Sequence, residues 1–496
     1  MLFLLLCLSL FILLLFYNFH WKRRNFPPGP APLPILGNLL QLARQTRWES
    51  KFIEWRNEYG PVYTYWLGEK PFIAINTYDT MFKYFVKQAD VFSDRHQVPS
   101  LMKLVRGGPY GIILSNGEAW SEQRRFALRV LRDFGMGKNQ MEERIMVELQ
   151  WLFEKVNPEL GAEEMDFFKY SDIAVGSVIN AVVSGYRFTD GREEEFLKMK
   201  DLTTRMVNSF MNPLTQLVFR NLFLLKVPLI RNKAVDALGV LKQLFSYIEQ
   251  QVQRHINEND YNQIEEPNDF IDAYLMECRR REGESGETGN FHLDNLKNIC
   301  LDLWTAGQET TSATTTWIIA LMIHFPEIQE KMQKELDTVI GSKRIINSTD
   351  RPGLVYIQAV ILESLRYSNL LAQNIPRVVN EDVDIEGYHV KKGTIVIPQI
   401  SVLMRDPKAF PNPDSMNPER FINSDGTLKH IDEFLPFSVG RRACPGEGMA
   451  RMELFLLIAN LFNQYKFSSG KKAPELVKVS AASTMIKPYK CKVEAR

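Results

Sequence analysis

The stretch from Leu2 to Phe19 constrains this chain more than any other. It is apolar almost throughout, broken only by Cys7, Ser9, Tyr17 and Asn18, and it carries no formal charge. A helix apolar on every side suits hydrocarbon, and at ~1.5 Å per residue about 18 residues reach about 27 Å, enough to cross a bilayer core. Trp21, Lys22, Arg23 and Arg24 follow, and this basic flank predicts a cytoplasmic C-terminal side. A cleaved signal peptide would have basic residues before the apolar run and a small-x-small site after it, and neither is found. Residues 1–21 therefore read as an uncleaved transmembrane anchor. Residues 22–38, with Pro27-Pro28-Gly29-Pro30, Pro32 and Pro34, read as a basic and Pro-rich hinge, extended and stiff.

Residues 39–496 have the composition of a packed globule. Over the whole chain of 496 residues, 45% are hydrophobic and 24% charged, which excludes general disorder. Sixty Lys and Arg against 59 Asp and Glu give a net charge of +1, so no global field would hold nucleic acid. Cys7, Cys278, Cys300, Cys444 and Cys491 are too scattered for a disulfide framework or zinc module, and none of the seven histidines forms His-Glu-x-x-His. A reducing compartment follows.

Val62 to Asn76 reads as two strands around Gly68-Glu69-Lys70-Pro71, and Glu118 to Gly135 as a helix with a dense basic face. Long helical patterns dominate as far as about residue 375. Arg279 to Asn290 reads as a polar loop, Glu386 to Pro398 as a hairpin around Lys391-Lys392-Gly393, and Pro407 to Pro418 as irregular chain. Leu214 to Ile230 is apolar but interrupted by Arg220, Lys226 and Pro228. It fits either a core helix pair or a surface segment dipping into the bilayer. With no repeat and no linker, this is one large domain, mainly α with a small β-rich portion.

Phe437-Ser-Val-Gly440-Arg-Arg442-Ala-Cys444-Pro-Gly446 is the most informative segment. Gly440 and Gly446 let backbone approach a sulfur atom, and Pro445 suits a first helical turn. Met449 to Tyr465 reads as an amphipathic helix whose N-terminus, with Arg442, should favour the Cys444 thiolate. Such a sulfur can be a nucleophile, a metal ligand or an inert core thiol. A second unusual segment, Ala306-Gly307-Gln308-Glu309-Thr310-Thr311, sits inside a helix expected from Leu293 to His324. Glycine and threonines there weaken the helix, as functional sites often do.

Phe437, Gly440, Arg442, Cys444 and Gly446 resemble the haem-binding signature of the cytochrome P450 family, and four further motifs stand before it in family order. The likeness runs from residue 27 to near the C-terminus. It is greatest to the microsomal, reductase-dependent class and its drug- and lipid-oxidising clan. It implies a single cytochrome P450-type domain with haem b, and Cys444 as axial thiolate. Ala306, Gly307, Glu309 and Thr310 resemble the oxygen-activation motif, with small residues leaving room and an acid–alcohol pair delivering protons. Glu363, Arg366 and Arg420 resemble the Glu-x-x-Arg and Pro-Glu-Arg-Phe elements, a buried structural brace. Trp120 and Arg124 (Trp-x-x-x-Arg), Arg442, Arg377 and Arg95 are the implied donors to the haem propionates. Ile113, Leu114, Phe210, Ala306, Leu370, Leu371 and Ile375 should line the substrate pocket. Ala372 departs from the proline many relatives carry there.

The resemblance further implies an endoplasmic reticulum membrane protein with a cytosolic catalytic domain. Its electrons would come from NADPH through cytochrome P450 reductase, with cytochrome b5 as a second candidate donor. The chain has no Gly-x-Gly-x-x-Gly after a strand, so NADPH would act only indirectly. Arg124, Arg125, Arg129, Arg132 and Lys138 would dock the acidic flavoprotein. The expected reaction inserts one atom of O2 into a fatty acid, steroid-like compound or xenobiotic. Two other readings are a haem-thiolate isomerase or dehydratase of lipid peroxides, which would turn over without NADPH, and a non-enzymatic haem-binding membrane protein.

Overall fold

The computed structural model describes all residues except 1, 136–138, 212–225, 262 and 481–483. Helix α1 (Leu2–Phe19) stands away from the rest, its apolar side chains exposed (Phe3 75%, Leu13 63%). By length and composition, residues Phe3–Arg23 can cross a membrane. At its base Asn18 is buried and donates to the Pro32 carbonyl at 2.7 Å. Lys22 pairs with Glu69 at 2.8 Å and lies 4.7 Å over the Trp66 ring. Gly29 lets the proline segment press on the sheet, since a Cβ there would lie 1.9 Å from the Thr64 carbonyl oxygen.

The β-rich portion is a five-stranded sheet of order β1-β2-β7-β4-β3, with β1 (Val62–Leu67), β2 (Lys70–Ile75), β3 (Asp94–Arg95), β4 (Arg377–Val378) and β7 (Ile395–Pro398). β1 and β2 pair antiparallel around Gly68-Glu69, the expected hairpin, with Leu67 opposite Lys70. β7 runs parallel to β2. β5 (Val383–Ile385) and β6 (Tyr388–Val390) form a separate pair, as do β8 (Tyr465–Ser469) and β9 (Cys491–Ala495). The expected hairpin around Lys391-Lys392-Gly393 is therefore corrected. The strands on either side of that turn belong to different sheets, and the true hairpin turns at Glu386-Gly387, both in left-handed backbone.

The α-rich portion contains α2 (Trp48–Tyr59), α3 (Gly117–Asp133), α4 (Asn139–Val156), α5 (Phe167–Ser184), α6 (Glu193–Met211), α7 (Pro228–Glu258), α8 (Phe270–Ser285), α9 (Leu293–His324), α10 (Pro326–Val339), α11 (Val355–Ser368) and α12 (Glu447–Gln464). α9 has the expected bounds. It threads the largest hydrophobic cluster, packing against α5, α7, α11 and α12. Two expectations fail. Arg279 to Ser285 is helical, because Arg280 pairs with Glu277 and Glu284, and Arg281 with Glu277, at helical spacing; Gly286 ends the helix. α12 is not amphipathic, since every residue from Glu453 to Asn463 is buried. Of the segment Leu214 to Ile230, residues 214–225 lie outside the described part, and Pro228 opens α7.

Candidate active site

Midway along α9 the burial pattern changes. Ala306 and Thr310, one turn apart, are exposed in a helix that is otherwise buried from Asn298 to Met322 except at half-buried Thr305 and Gly307. The Thr310 hydroxyl donates to the Ala306 carbonyl at 2.7 Å, and Thr314, Thr315 and Thr316 make the same bond four residues back. This back-bonding lets a threonine run stay helical. Gly307 does not open the exposed stripe as expected. Its Cβ would meet Ile179 Cγ1 of α5 at 2.8 Å, so the glycine serves close helix packing. Glu309 is buried and turned to α6, where Lys200 Nζ lies 3.1 Å from its Oε1.

Cys444 lies three residues before α12 begins. Its N–H donates to the Phe437 carbonyl at 2.8 Å, and the Ala443 N–H to that of Gly440 at 2.9 Å, so the segment curls around the sulfur. Only glycine fits at 440: φ is +71°, and a Cβ would stand 1.8 Å from the Phe85 carbonyl oxygen. Phe437 lies under the Arg451 guanidinium at 4.9 Å and packs on the main core. Cys444 is exposed along one side, yet dense surroundings dominate its titration. Burial pushes the thiol up, and the hydrogen bond from Gly446 and the charge of Arg124 pull it down less. The expectation that the helix terminus, with Arg442, favours thiolate is thus corrected for the protein by itself. Desolvation outweighs these pulls, and a metal cation bound at the sulfur would favour the charged form.

Four arginines from separate elements converge beside this loop. Arg95 of β3 donates to the carbonyls of Ile113, Ile375 and Pro376. Arg124 of α3 donates to the Ala443 carbonyl. Arg377 of β4 donates to Val439, and Arg442 to Ser93 and Ser115. Trp120 is buried under Arg442, 3.6 Å from ring centroid to guanidinium. Among the described residues, none of the four arginines pairs with an acid. Burial first, then mutual repulsion, pushes Arg95, Arg377 and Arg442 below the usual arginine range. The buried Nε of Arg377 and Nε1 of Trp120 have no hydrogen-bond partner. Crowded buried cations and orphaned donors beside a sulfur fit a dianionic ligand that also brings a thiophilic metal, which is the chemistry of haem.

The expected brace is assembled. Arg366 donates to both Glu363 oxygens at 2.7 and 2.8 Å, and Arg420 adds a 3.2 Å bond to Oε1. Glu363 and Arg366 are fully buried. Ile113 and Leu114 are half-buried, with carbonyls taken by Arg95 and Gln97. Leu371 and Ile375 are exposed at 39% and 37%, whereas Leu370 packs towards Trp317. Ala372 is buried, and its carbonyl accepts from Gln399 and Ser401 at 2.7 Å each. Phe210 lies in the last turn of α6, and its side chain is outside the described part. Arg125, Arg129 and Arg132 are exposed on α3, and Lys138 lies outside the described residues.

Sequence reasoning missed two features. Asp302 of α9 accepts from the N–H groups of Ile112 and Ile113 at 2.8 and 3.0 Å and from Arg106 at 2.7 Å, fixing the Ile113–Leu114 segment. Lys200 and Asp172 surround Glu309 and Ser312. Neither has a local motif, because each is reached from α9 only across more than a hundred residues of chain.

The comparisons agree with this geometry. The profile of the family described as Cytochrome P450 matches residues 27–494. Cytochrome P450 2B19 of Mus musculus is 39% identical over 451 residues, covering 91% of this chain and 89% of that protein. Cytochrome P450 2B2 of Rattus norvegicus is 39% identical over 470 residues, 94% and 93% of the two chains. Cytochrome P450 2M1 of Oncorhynchus mykiss is 35% identical over 493 residues, 98% and 95%.

Proposed function

The chain belongs to the cytochrome P450 family of haem-thiolate monooxygenases, and from that membership we propose a membrane-anchored enzyme that oxidises a lipophilic substrate with electrons from NADPH through cytochrome P450 reductase. The observation that carries the reading is the exposed Cys444 beside buried Arg95, Arg377 and Arg442 and half-buried Arg124, none of which pairs with an acid among the described residues. Haem bound through a cysteine thiolate supplies O2 activation and transfer of one oxygen atom.

Every other part belongs to this chain. Cys444 supplies the sulfur ligand. Arg95, Arg124, Arg377, Arg442 and Trp120 offer donors to two carboxylates, and their cationic crowd is relieved when those carboxylates arrive. Gly440 brings the loop against Phe85, and Phe437 and Gly446 shape the curl around sulfur. Ala306 keeps the exposed stripe of α9 low. Thr310 holds a hydroxyl proton at Oγ1, directed to the Ala306 carbonyl and free to turn, while Glu309 is the acid next along the same turn. Ile113, Leu114, Leu371 and Ile375 are apolar and favour an apolar substrate, with Leu370 and Phe210 as further lining. Fatty acids, steroid-like compounds and xenobiotics share that chemistry.

The α1 helix and its basic flank support a single-pass anchor in the endoplasmic reticulum, residues 22–38 as hinge and residues 39–496 as a cytosolic catalytic domain. Exposed Arg125, Arg129 and Arg132 on α3 support docking of an acidic electron donor, the reductase first and cytochrome b5 second. The test is the carbon monoxide difference spectrum of the reduced holoprotein. A strongly red-shifted Soret band is expected, lost in Cys444→Ser. A band at the position of histidine-ligated haem, or none from a folded and haem-supplied protein, overturns the proposal.

A further inference from the structure

Three helices meet behind the exposed stripe of α9 in a closed polar loop. Lys200 of α6 lies with Nζ 3.1 Å from Glu309 Oε1 of α9 and 3.5 Å from Asp172 Oδ2 of α5. The Ser312 hydroxyl, one turn beyond Glu309, donates to the other oxygen of Asp172. The chain of contacts therefore leaves α9 at Glu309 and returns to it at Ser312.

Two features set this loop apart from the Glu363–Arg366 brace. Lys200 Nζ and Glu309 Oε1 are shut off from solvent, yet neither makes a well-directed hydrogen bond. The carboxylate is held by charge and not by a directional bond, which leaves its orientation adjustable. The loop also holds two acids against one lysine, so Lys200 is the sole cation paired with Glu309 among the described residues. Burial acts to push the lysine down, but the two carboxylates overcome it and hold the ammonium above its ordinary range. Removing Lys200 would leave the buried Glu309 and the half-buried Asp172 with no paired cation among the described residues.

We propose that Lys200 is a positioning residue of the proton path: it tethers the Glu309 carboxylate between α5, α6 and α9, while Asp172 and Ser312 fix the lysine against α9. The proposal rests on the reading of Glu309 and Thr310 as the acid–alcohol pair. It gives α6 a part in the chemistry without substrate contact by Lys200. It also accounts for a lysine whose Nζ is shut off from solvent on a helix that otherwise buries Phe196, Met199, Leu202 and Thr203, none of them charged.

The experiment uses the full-length holoenzyme with reductase in phosphatidylcholine vesicles. Peroxide released per NADPH consumed is measured for the parent, Lys200→Met, Lys200→Arg, Glu309→Gln and the double variant Lys200→Met/Glu309→Gln. The second readout is each variant's thermal midpoint. Lys200→Met should raise the peroxide fraction about threefold or more with an unaltered carbon monoxide spectrum, Lys200→Arg should restore it, and the double variant should resemble Glu309→Gln alone. In stability, Lys200→Met should lose less than half as much in the Glu309→Gln background as in the parent. If Glu309→Gln raises the peroxide fraction while Lys200→Met does not, the tether is refuted and the acid–alcohol reading stands. If Glu309→Gln itself has no effect on that fraction, the acid–alcohol reading falls and the tether with it. Additive losses in stability would also overturn the proposal, whatever the peroxide result.

Discussion

Replacing Glu453 by glutamine should stabilise the protein, and more so as the pH rises. Glu453 is 1% exposed within α12, surrounded by the main core. Its Oε1 has no hydrogen-bond partner. The next acid is Glu148 of α4, itself buried and already engaged by Arg187 and Thr189. Burial and then the charge of Glu148 raise the Glu453 carboxyl from 4.5 to about 8. A carboxyl that titrates higher in the folded state binds more protons there than in the unfolded chain. Stability therefore falls as pH rises from about 4.5 to about 8. The rise from 4.5 to about 8, at about 1.4 kcal/mol for each tenfold change in proton affinity, gives about 5 kcal/mol as an upper bound, and relaxation on ionisation brings the expectation to about 2–4 kcal/mol. Glutamine keeps the shape and cannot ionise. For a domain of this size 1 kcal/mol moves the melting midpoint by about 1 °C. The advantage of Glu453→Gln over the parent should thus grow by about 2–4 °C between pH 5 and pH 8.5. Thermal scans of both holoproteins at matched ionic strength measure it. An offset that is the same at both pH values would refute the argument, because only the ionisable group makes it pH-dependent.

Gly440→Ala should abolish haem retention, since left-handed backbone and a 1.8 Å approach to the Phe85 oxygen leave no space for a methyl group; the haem-to-protein ratio after purification reads this out. Arg366→Leu should destabilise by about 3–5 kcal/mol, because it leaves Glu363 buried with Arg420 as its remaining cation; denaturant titration of the purified protein checks it. Deleting residues 2–20 should shift at least part of the protein from membrane pellet to supernatant, and no change on fractionation would refute a sole-anchor role for α1.

The parts of the site that the sequence made legible are those whose chemistry is local. Phe437 to Gly446 is a single loop, so its whole pattern could be matched to the family signature, and α9 kept its bounds because Pro326 cannot continue a helix. Glu363 and Arg366 share a helix face at i and i+3, and their contact followed from periodicity. Non-local effects were hidden. The Cys444 thiol is raised because desolvation outweighs the helix terminus, and desolvation depends on every element packed around it. Gly307 looked like room for a ligand, but Ile179 of another helix occupies that side. The turn at Lys391-Lys392-Gly393 was found, while its strands pair with partners the local pattern does not name.

The order of strands in the five-stranded sheet sets a timetable for synthesis. β2 pairs with β7 through Ile73 and Val396, a separation of 323 residues. At about 5–20 residues per second, a ribosome needs roughly 16–65 s to travel between those two positions. During that interval α1 is available to the bilayer and the β1–β2 hairpin can form, but the inner edge of β2 has no mate, and an open edge accepts any strand that reaches it. The nascent chain is therefore most exposed to mispairing before Ile395–Pro398 is made. Slowing of elongation upstream of residue 395 would lengthen that exposure, whereas slowing after residue 398 has emerged would leave it unchanged.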